Sequence, residues 1–499
     1  MTAVLLAIDW SLIGIKTFQF ILSFSILVTL HELGHYLAAK IFGCRVESFY
    51  LFFNPAFTLA AFKKVKNKWR SKFFFKNQPD GEEVVLENGK KGIVKPDPES
   101  LPDNDWRKYP HNTEYGLGWL PLGGYVKIAG MIDESMDKEQ MKQPAKPWEF
   151  RSKPAWQRLI IMIAGVVVNI LLGYFIYSMM LWKWGEEYLP TKELTYGIAA
   201  DSVAEKIGFR DGDKILSVDG KEYEKFNDIN KHLLLRKTQN VTVDRNGQTV
   251  NVAIPEDIAK TLIGTKNLNF ISPRIPNVAL QKVVDTLPAG KAGLTTGDKI
   301  IAADSVAFQF NDQVREYIKS QAGKTTSLLV QRADDTLTVN TPVSSEGTIG
   351  VLFNTSEMNN FFTYTKINYN FFQSLSAGVG KTWETLEDYW LQLKLIFGGK
   401  VAAKDSVGSL ITIGSIFPDT WDWARFWSLT AFFSLVLAFM NILPIPALDG
   451  GHAMFTIYEM ITGRKPSDKF MEVAQTIGMI ILLGLMVFAL GNDILRLFR

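Results

Sequence analysis

His31-Glu32-Leu33-Gly34-His35 sets two imidazoles four residues apart around a carboxylate. On a helix, positions i and i+4 share a face, so both rings can reach one ion while Glu32, next to the first ring, stands beside a water held there. That is the chemistry of zinc-assisted hydrolysis: nitrogen ligands, an activated water and a general base. Five histidines occur in 499 residues, and a pair at this spacing inside an apolar helix is poorly explained by packing. A catalytic zinc needs a third protein ligand, and nothing suitable follows directly downstream. The best candidate lies far along the chain, in Asn441-Ile442-Leu443-Pro444-Ile445-Pro446-Ala447-Leu448-Asp449-Gly450-Gly451. Its two prolines remove backbone donors and its paired glycines permit a sharp turn, so an apolar helix should break here. Asp449, in that break, is costly at membrane depth unless it binds something positive, and a metal fits. The single cysteine, Cys44, excludes an internal disulfide and a thiolate cluster, which leaves histidine and aspartate to hold the ion.

These residues sit on apolar segments. The chain is 47% hydrophobic and 21% charged, and its mean hydropathy of +0.04 averages over extremes. Four stretches read as membrane spans: 8–40 with the histidine pair, 156–184, 426–455 with the proline break, and 468–492. From Leu159 to Trp182 there is no charge and one strongly polar residue, Asn169. The first span lacks the basic start and small-residue cleavage pattern of a signal peptide and is expected to be retained. Basic residues crowd after the first span (Lys63, Lys64, Lys66, Lys68, Arg70), before the second (Arg151, Lys153, Arg158) and between the last two (Arg464, Lys465). Those flanks are expected to be cytoplasmic, which puts residues from about 185 to 425 in the opposite compartment. A net charge of +3 argues against a nucleic-acid binder relying on phosphate neutralisation.

Within that external stretch one pattern occurs twice. Gly208-Phe209-Arg210-Asp211-Gly212-Asp213-Lys214-Ile215-Leu216 returns 85 residues later as Gly293-Leu294-Thr295-Thr296-Gly297-Asp298-Lys299-Ile300-Ile301. An offset of a whole small domain indicates duplication rather than a solenoid. Each copy reads as a short helix, a glycine cap, a Gly-Asp turn and a strand. The pattern resembles the PDZ domain, whose resemblance implies either binding of extended peptides at a sheet edge or control of access to the membrane. The domains are expected at 185–270 and 276–354. Residues 355–425 follow as an amphipathic helical region, where Trp383, Leu386, Trp390, Leu393 and Phe397 recur at helical spacing. That stripe suits a packing face or a helix lying on a membrane.

Further motifs complete a family resemblance. HELGH, NILPIPALDGG, Trp119-Leu120-Pro121-Leu122-Gly123-Gly124-Tyr125-Val126-Lys127-Ile128-Ala129-Gly130, the Ala164-Gly165-x-x-x-Asn169 run and the tandem PDZ-like insertion together resemble the site-2 protease family. Their order is similar to that of its RseP-type branch, the regulator of sigma-E protease. The resemblance implies an intramembrane zinc metalloprotease holding one zinc ion through His31, His35 and Asp449, with Glu32 as general base. It implies that Asn441 and Asn169 lie near the active site and steady substrate backbone or an oxyanion, and that His452 stands outside the ligand set. It also implies a membrane-associated β-hairpin at 116–130, with Gly123, Gly124 and Tyr125 on the part that meets substrate. A loop at 41–155 would carry this hairpin and a polar insertion at 56–112. Val166 stands where the family usually has proline, and Ser406-Val407-Gly408-Ser409 only loosely resembles its Gly-Pro element.

The expected fold is a polytopic α-helical membrane protein with four transmembrane helices, a membrane-associated β-hairpin and two inserted α+β PDZ domains. The expected substrate is the transmembrane helix of a single-pass protein, such as an anti-sigma factor or a signal-peptide remnant. Peptide ligands of the PDZ domains and the lipid bilayer are its other expected partners, and no nucleic acid is. Its expected place is the bacterial inner membrane, with the PDZ domains periplasmic and the active site toward the cytoplasm. The rival reading is a catalytically inactive membrane scaffold presenting two peptide-binding domains, and a metal transporter is a further one.

Overall fold

The computed structural model describes residues 10–77, 82–85, 91–94, 98–121, 123–131, 144–264, 270–354, 357, 360–399 and 408–497. The chain divides into two compact units. One comprises Met1–Trp184, Tyr369–Tyr389 and Val407–Arg499, the other Gly185–Asn368 and Trp390–Ser406.

The first unit holds the long helices and a β-sheet. Among the described residues, four helices are long and apolar enough to cross a membrane: Ile13–Ile41, Ala155–Trp184, Trp423–Ile442 and Lys469–Leu495. They belong to α1 (Trp10–Ile41), α2 (Ala155–Trp184), α4 (Trp423–Ile442) and α6 (Asp468–Leu497), with α3 (Phe371–Phe397) and α5 (Asp449–Thr462) between them in sequence. Helix α2 is the hub, packing on α1, α4 and α5. Small residues allow this. A Cβ on Gly34 would stand 2.6 Å from the Ala164 carbonyl oxygen, and one on Gly173 2.7 Å from Leu435 Cδ2, so the helices meet nearly backbone to backbone. Buried hydroxyls add interhelical bonds: Ser23 Oγ lies 2.9 Å from Thr430 Oγ1, and Ser434 Oγ donates to the Asn169 carbonyl at 2.7 Å. Helix α6 is peripheral, with Ile480 and Val487 about two-thirds exposed, as suits side chains facing acyl chains.

The proline-rich segment separates two helices. Helix α4 ends at Ile442, Leu443 is extended, Ala447 has a φ of 83°, and α5 begins at Asp449. A Cβ on Gly450 would strike the Leu443 carbonyl and one on Gly451 would lie 2.5 Å from the Ile445 oxygen. Only glycines allow so tight a turn to lead directly into a helix.

After α1 the chain builds a five-stranded sheet from β1 (Val46–Leu51), β2 (Phe57–Val65), β3 (Lys68–Lys76), β6 (Glu114–Leu117) and β7 (Tyr125–Ile128), in the order β3-β2-β6-β1-β7. The strands β4 (Glu82–Val85) and β5 (Lys91–Val94) pair separately. The expected hairpin at 116–130 takes a different form. Its limbs β6 and β7 do not pair with each other, because β1 lies between them, parallel to β6 and antiparallel to β7. The described residues 118–121 and 123–124 therefore lie across the end of β1, and glycines make the crossing possible. A Cβ on Gly124 would come 2.5 Å from the Tyr50 carbonyl oxygen, and one on Gly123 2.8 Å from the Phe53 ring. The 56–112 stretch is not wholly loop, since β2 and β3 extend this sheet.

The amphipathic stripe of α3 is not its buried side. Ser374, Gly378 and Thr382 are buried, with Gly378 against Ser178 of α2, whereas Trp383 and Phe397 are more than 70% exposed. Of the stripe, Leu386 packs inward, on the cluster that includes Ile176 and Leu435. Small residues fit a close helix contact that indoles would hold apart.

The second unit holds two apolar cores, one around Phe209, Phe226 and Val241, the other around Leu294, Ile300 and Leu328. Both copies of the Gly-Asp pattern adopt the same local arrangement. The helices Ser202–Ile207 and Pro288–Lys291 are followed by Gly208 and Gly293 at φ 116° and 89°, and the strands Lys214–Val218 and Lys299–Ala303 come next. The repeated aspartates Asp213 and Asp298 are fully buried, each gripped by one arginine. Arg245 Nε and Nη2 donate to Asp213 at 2.7 and 2.8 Å, and Arg332 does the same to Asp298 at 2.7 and 2.8 Å. The same arginines also donate to the carbonyls of Gly208 and Gly293.

Candidate metal centre

Helix α1 presents His31 and His35 on one face, both buried, and the turn into α5 brings Asp449 to them. His31 Nε2 lies 3.0 Å and His35 Nε2 3.2 Å from Asp449 Oδ2, and the two ring nitrogens are 3.2 Å apart. Ligand atoms of a tetrahedral zinc, bound at about 2.0 to 2.1 Å, stand roughly 3.3 Å from one another. The triangle has nearly that size. Among the described residues this is the one cluster of three such side chains.

The donor chemistry fits a cation. His35 Nδ1 is 2.8 Å from the Ile161 carbonyl oxygen, which can only accept, so Nδ1 carries the proton. In the neutral ring Nε2 is then a bare lone pair, aimed at a carboxylate and a second imidazole. Three electron-rich atoms converging in a buried place need a positive charge among them. Helix α2 supplies the back wall, since a Cβ on Gly165 would stand 2.5 Å from His35 Nε2 and 2.6 Å from His31 Cε1.

Glu32, half-buried, follows His31 on α1, and the backbone of Val126 in β7 lies within hydrogen-bonding reach of its carboxyl. Strand β7 is an edge of the sheet. Asn441, in the last turn of α4, places Nδ2 3.3 Å from His31 Nε2. Asn169 lies on the other side of the same ring, with Nδ2 3.2 Å from Nδ1. His452 is not in the ligand triangle and faces α6, its Nε2 2.7 Å from Gln475 Nε2. Tyr125 is held in the sheet, its ring stacked on Tyr50 at 5.2 Å and its hydroxyl donating to Asn54. Gly123 and Gly124 have the steric task at the β1 crossing.

Sequence reasoning did not assign Gly165, the Ile161 carbonyl or Gly34. A signal for the glycines was present, since Gly34 sits inside the His-Glu motif and Gly165 inside the Ala-Gly-x-x-x-Asn run, but spacing alone does not say what a missing Cβ would strike.

Apolar helices of membrane length that bring two histidines and an aspartate around one ion site, beside a glutamate, define a membrane-embedded metallopeptidase. The profile of peptidase family M50 matches residues 19–77 and 105–485, and the chain belongs to that family. The regulator of sigma E protease of Haemophilus influenzae is 28% identical over 505 residues, covering 96% of this chain and 98% of its own. The regulator of sigma-E protease RseP of Escherichia coli is 25% identical over 506 residues, with the same coverages. A Vibrio cholerae protein named as a zinc metalloprotease is also 25% identical over 506 residues. The profile is interrupted at 78–104, so β2 and the whole of β3 belong to the shared body and the unmatched part of the 56–112 stretch is shorter than composition suggested.

Proposed function

We propose that the chain is an intramembrane zinc metalloprotease that cleaves peptide bonds within the transmembrane segments of single-pass proteins, such as anti-sigma factors or signal-peptide remnants. One observation carries the reading: His31, His35 and Asp449 converge to 3.0–3.2 Å at the foot of an apolar helix, with Glu32 adjacent. Zinc in this site would polarise the scissile carbonyl and acidify a water. Glu32 takes the proton of the attacking water and returns it to the leaving nitrogen. Asn441, beside His31, is placed to donate to oxygen at the reacting carbon.

A transmembrane helix hides its peptide bonds in its own hydrogen bonds and must unwind to be cut. The free edge of β7, which runs past Glu32, would accept the unwound segment as an added strand. The basic flanks orient the chain in the bacterial inner membrane with the metal toward the cytoplasm and the second unit in the periplasm. There the two modules, read as PDZ domains, would bind peptide or exclude bulky ectodomains. The test compares membrane-protein fragments from cells with wild-type and Glu32→Gln chains. Uncut spans should accumulate in the variant, and unchanged cleavage would overturn the assignment of the base.

A further inference from the structure

Asn169 lies at the centre of α2, fully buried, and its side chain meets His31. Its amide nitrogen stands 3.2 Å from His31 Nδ1, while its Oδ1 is buried with no hydrogen-bond partner. In that orientation an N–H faces the ring nitrogen. The proton of a neutral His31 must then sit on Nε2, the atom aimed at His35 Nε2 and Asp449 Oδ2, and the lone pair needed for a metal is lost. Amide nitrogen and oxygen exchange places by a half-turn about the terminal bond, with no change in shape. After that turn Oδ1 accepts from Nδ1–H, the orphan gains a donor, and Nε2 offers its lone pair to the cluster.

The same helix does the equivalent for the other ring. Ile161, Gly165 and Asn169 recur every four residues and so share one face of α2. The Ile161 carbonyl accepts from His35 Nδ1 at 2.8 Å, Gly165 leaves the room that both rings occupy, and Asn169 reaches His31. We propose that Asn169 is a positioning residue of the metal centre: its side-chain oxygen accepts a hydrogen bond from His31 Nδ1–H and keeps the Nε2 lone pair turned to the zinc. The proposal rests on His31 and His35 being ligands. It gives Asn169 a task different from steadying the substrate.

The test measures zinc affinity of the purified full-length chain by chelator competition, for wild type, N169D, N169L and H31A. Aspartate can only accept, so N169D should keep wild-type affinity, whereas N169L should bind zinc about 10- to 100-fold more weakly. Helix content and melting of the zinc-free variants report folding. Wild-type affinity in N169L overturns the proposal, and so does a loss in N169D equal to that in N169L, since the nitrogen would then be the contact. If N169L does not fold, nitrogen-15 histidine spectra of the wild-type zinc-loaded chain decide the matter: His31 should show a protonated Nδ1, and the opposite tautomer overturns the idea. Full zinc binding by H31A is a different failure, that of the ligand assignment itself.

Discussion

The point where a Cβ would stand on Gly165 lies 2.5 Å from His35 Nε2, nearer than any non-bonded carbon tolerates. Helix α2 cannot retreat, because one turn earlier the Ile161 carbonyl holds His35 Nδ1 and Gly34 fixes the crossing against Ala164. Gly165→Ala should therefore push the ring off its site and lower zinc affinity by at least about tenfold. Helix content should persist, since alanine favours helix over glycine. Zinc per chain after dialysis against a chelator checks this, and a fully loaded G165A protein would refute it.

A substitution at Val126 tests the proposed substrate edge apart from metal binding. The Val126 backbone reaches the Glu32 carboxyl from an edge strand, where proline is tolerated if no ladder bond is lost. Val126→Pro removes the N–H and spoils the edge for an incoming strand. One or two lost backbone bonds, each worth about 1 kcal/mol, correspond to roughly a tenfold drop in cleavage of a transmembrane substrate. Zinc content should stay at the wild-type level. Equal loss of zinc and of cleavage would mean that β7 supports the metal centre and does not receive substrate.

The metal centre was unusually legible because its logic is local. Two rings four residues apart on a helix need no tertiary knowledge to share a face, and a carboxylate in a proline-broken apolar segment announces its own cost. The geometry that supports them was not legible. Which carbonyl orients His35, and which backbone Gly165 clears, depend on how two helices 126 residues apart in sequence cross. The hairpin expectation erred for a similar reason. Neighbouring β6 and β7 look like partners, but β1, which emerges straight from α1, takes the place between them. In the repeats the buried aspartates were conspicuous, while Arg245 and Arg332, 32 and 34 residues downstream, were not.

That arginine pairing predicts acid sensitivity in the second module. Burial alone would raise the pKa of Asp298, but the Arg332 bonds and the Thr295 N–H outweigh it and hold the carboxyl below its ordinary value. A carboxylate with a depressed folded pKa contributes stability that is complete above the unfolded value, about 3.9, and is lost as pH falls through the folded one. Hydrogen-exchange protection of 280–353 in the full chain, taken relative to the intrinsic exchange rate at each pH, should thus be unchanged from pH 7 to about 5 and fall steeply below about 4. Arg332→Ala leaves the fully buried Asp298 carboxylate without its cation, with only Thr295 still bonded to it, and should show weakened protection already at neutral pH. Retained protection in that variant would mean that the grip of Arg332 is dispensable.

Helix α6 offers a controlled pair of glycines. A Cβ on Gly478 would run into the carbonyl of Pro446, in the loop that carries Asp449, whereas nothing lies within 4 Å of one on Gly484. One turn before Gly478, Gln475 meets His452 at 2.7 Å, so this part of α6 seats directly on the segment that turns Asp449 toward the histidines. Alanine at 484 meets open space and gains about 1 kcal/mol of helix propensity. Alanine at 478 must displace either α6 or the Pro446 turn. If the turn gives way, Asp449 moves with it, because Gly450 and Gly451 leave no slack against the Leu443 and Ile445 carbonyls. Gly478→Ala should accordingly weaken zinc binding about tenfold or more while Gly484→Ala leaves it unchanged, both read by chelator competition. Equal affinities in the two variants would show that α6 yields instead and that the metal-bearing turn is held by α2 and α4 alone.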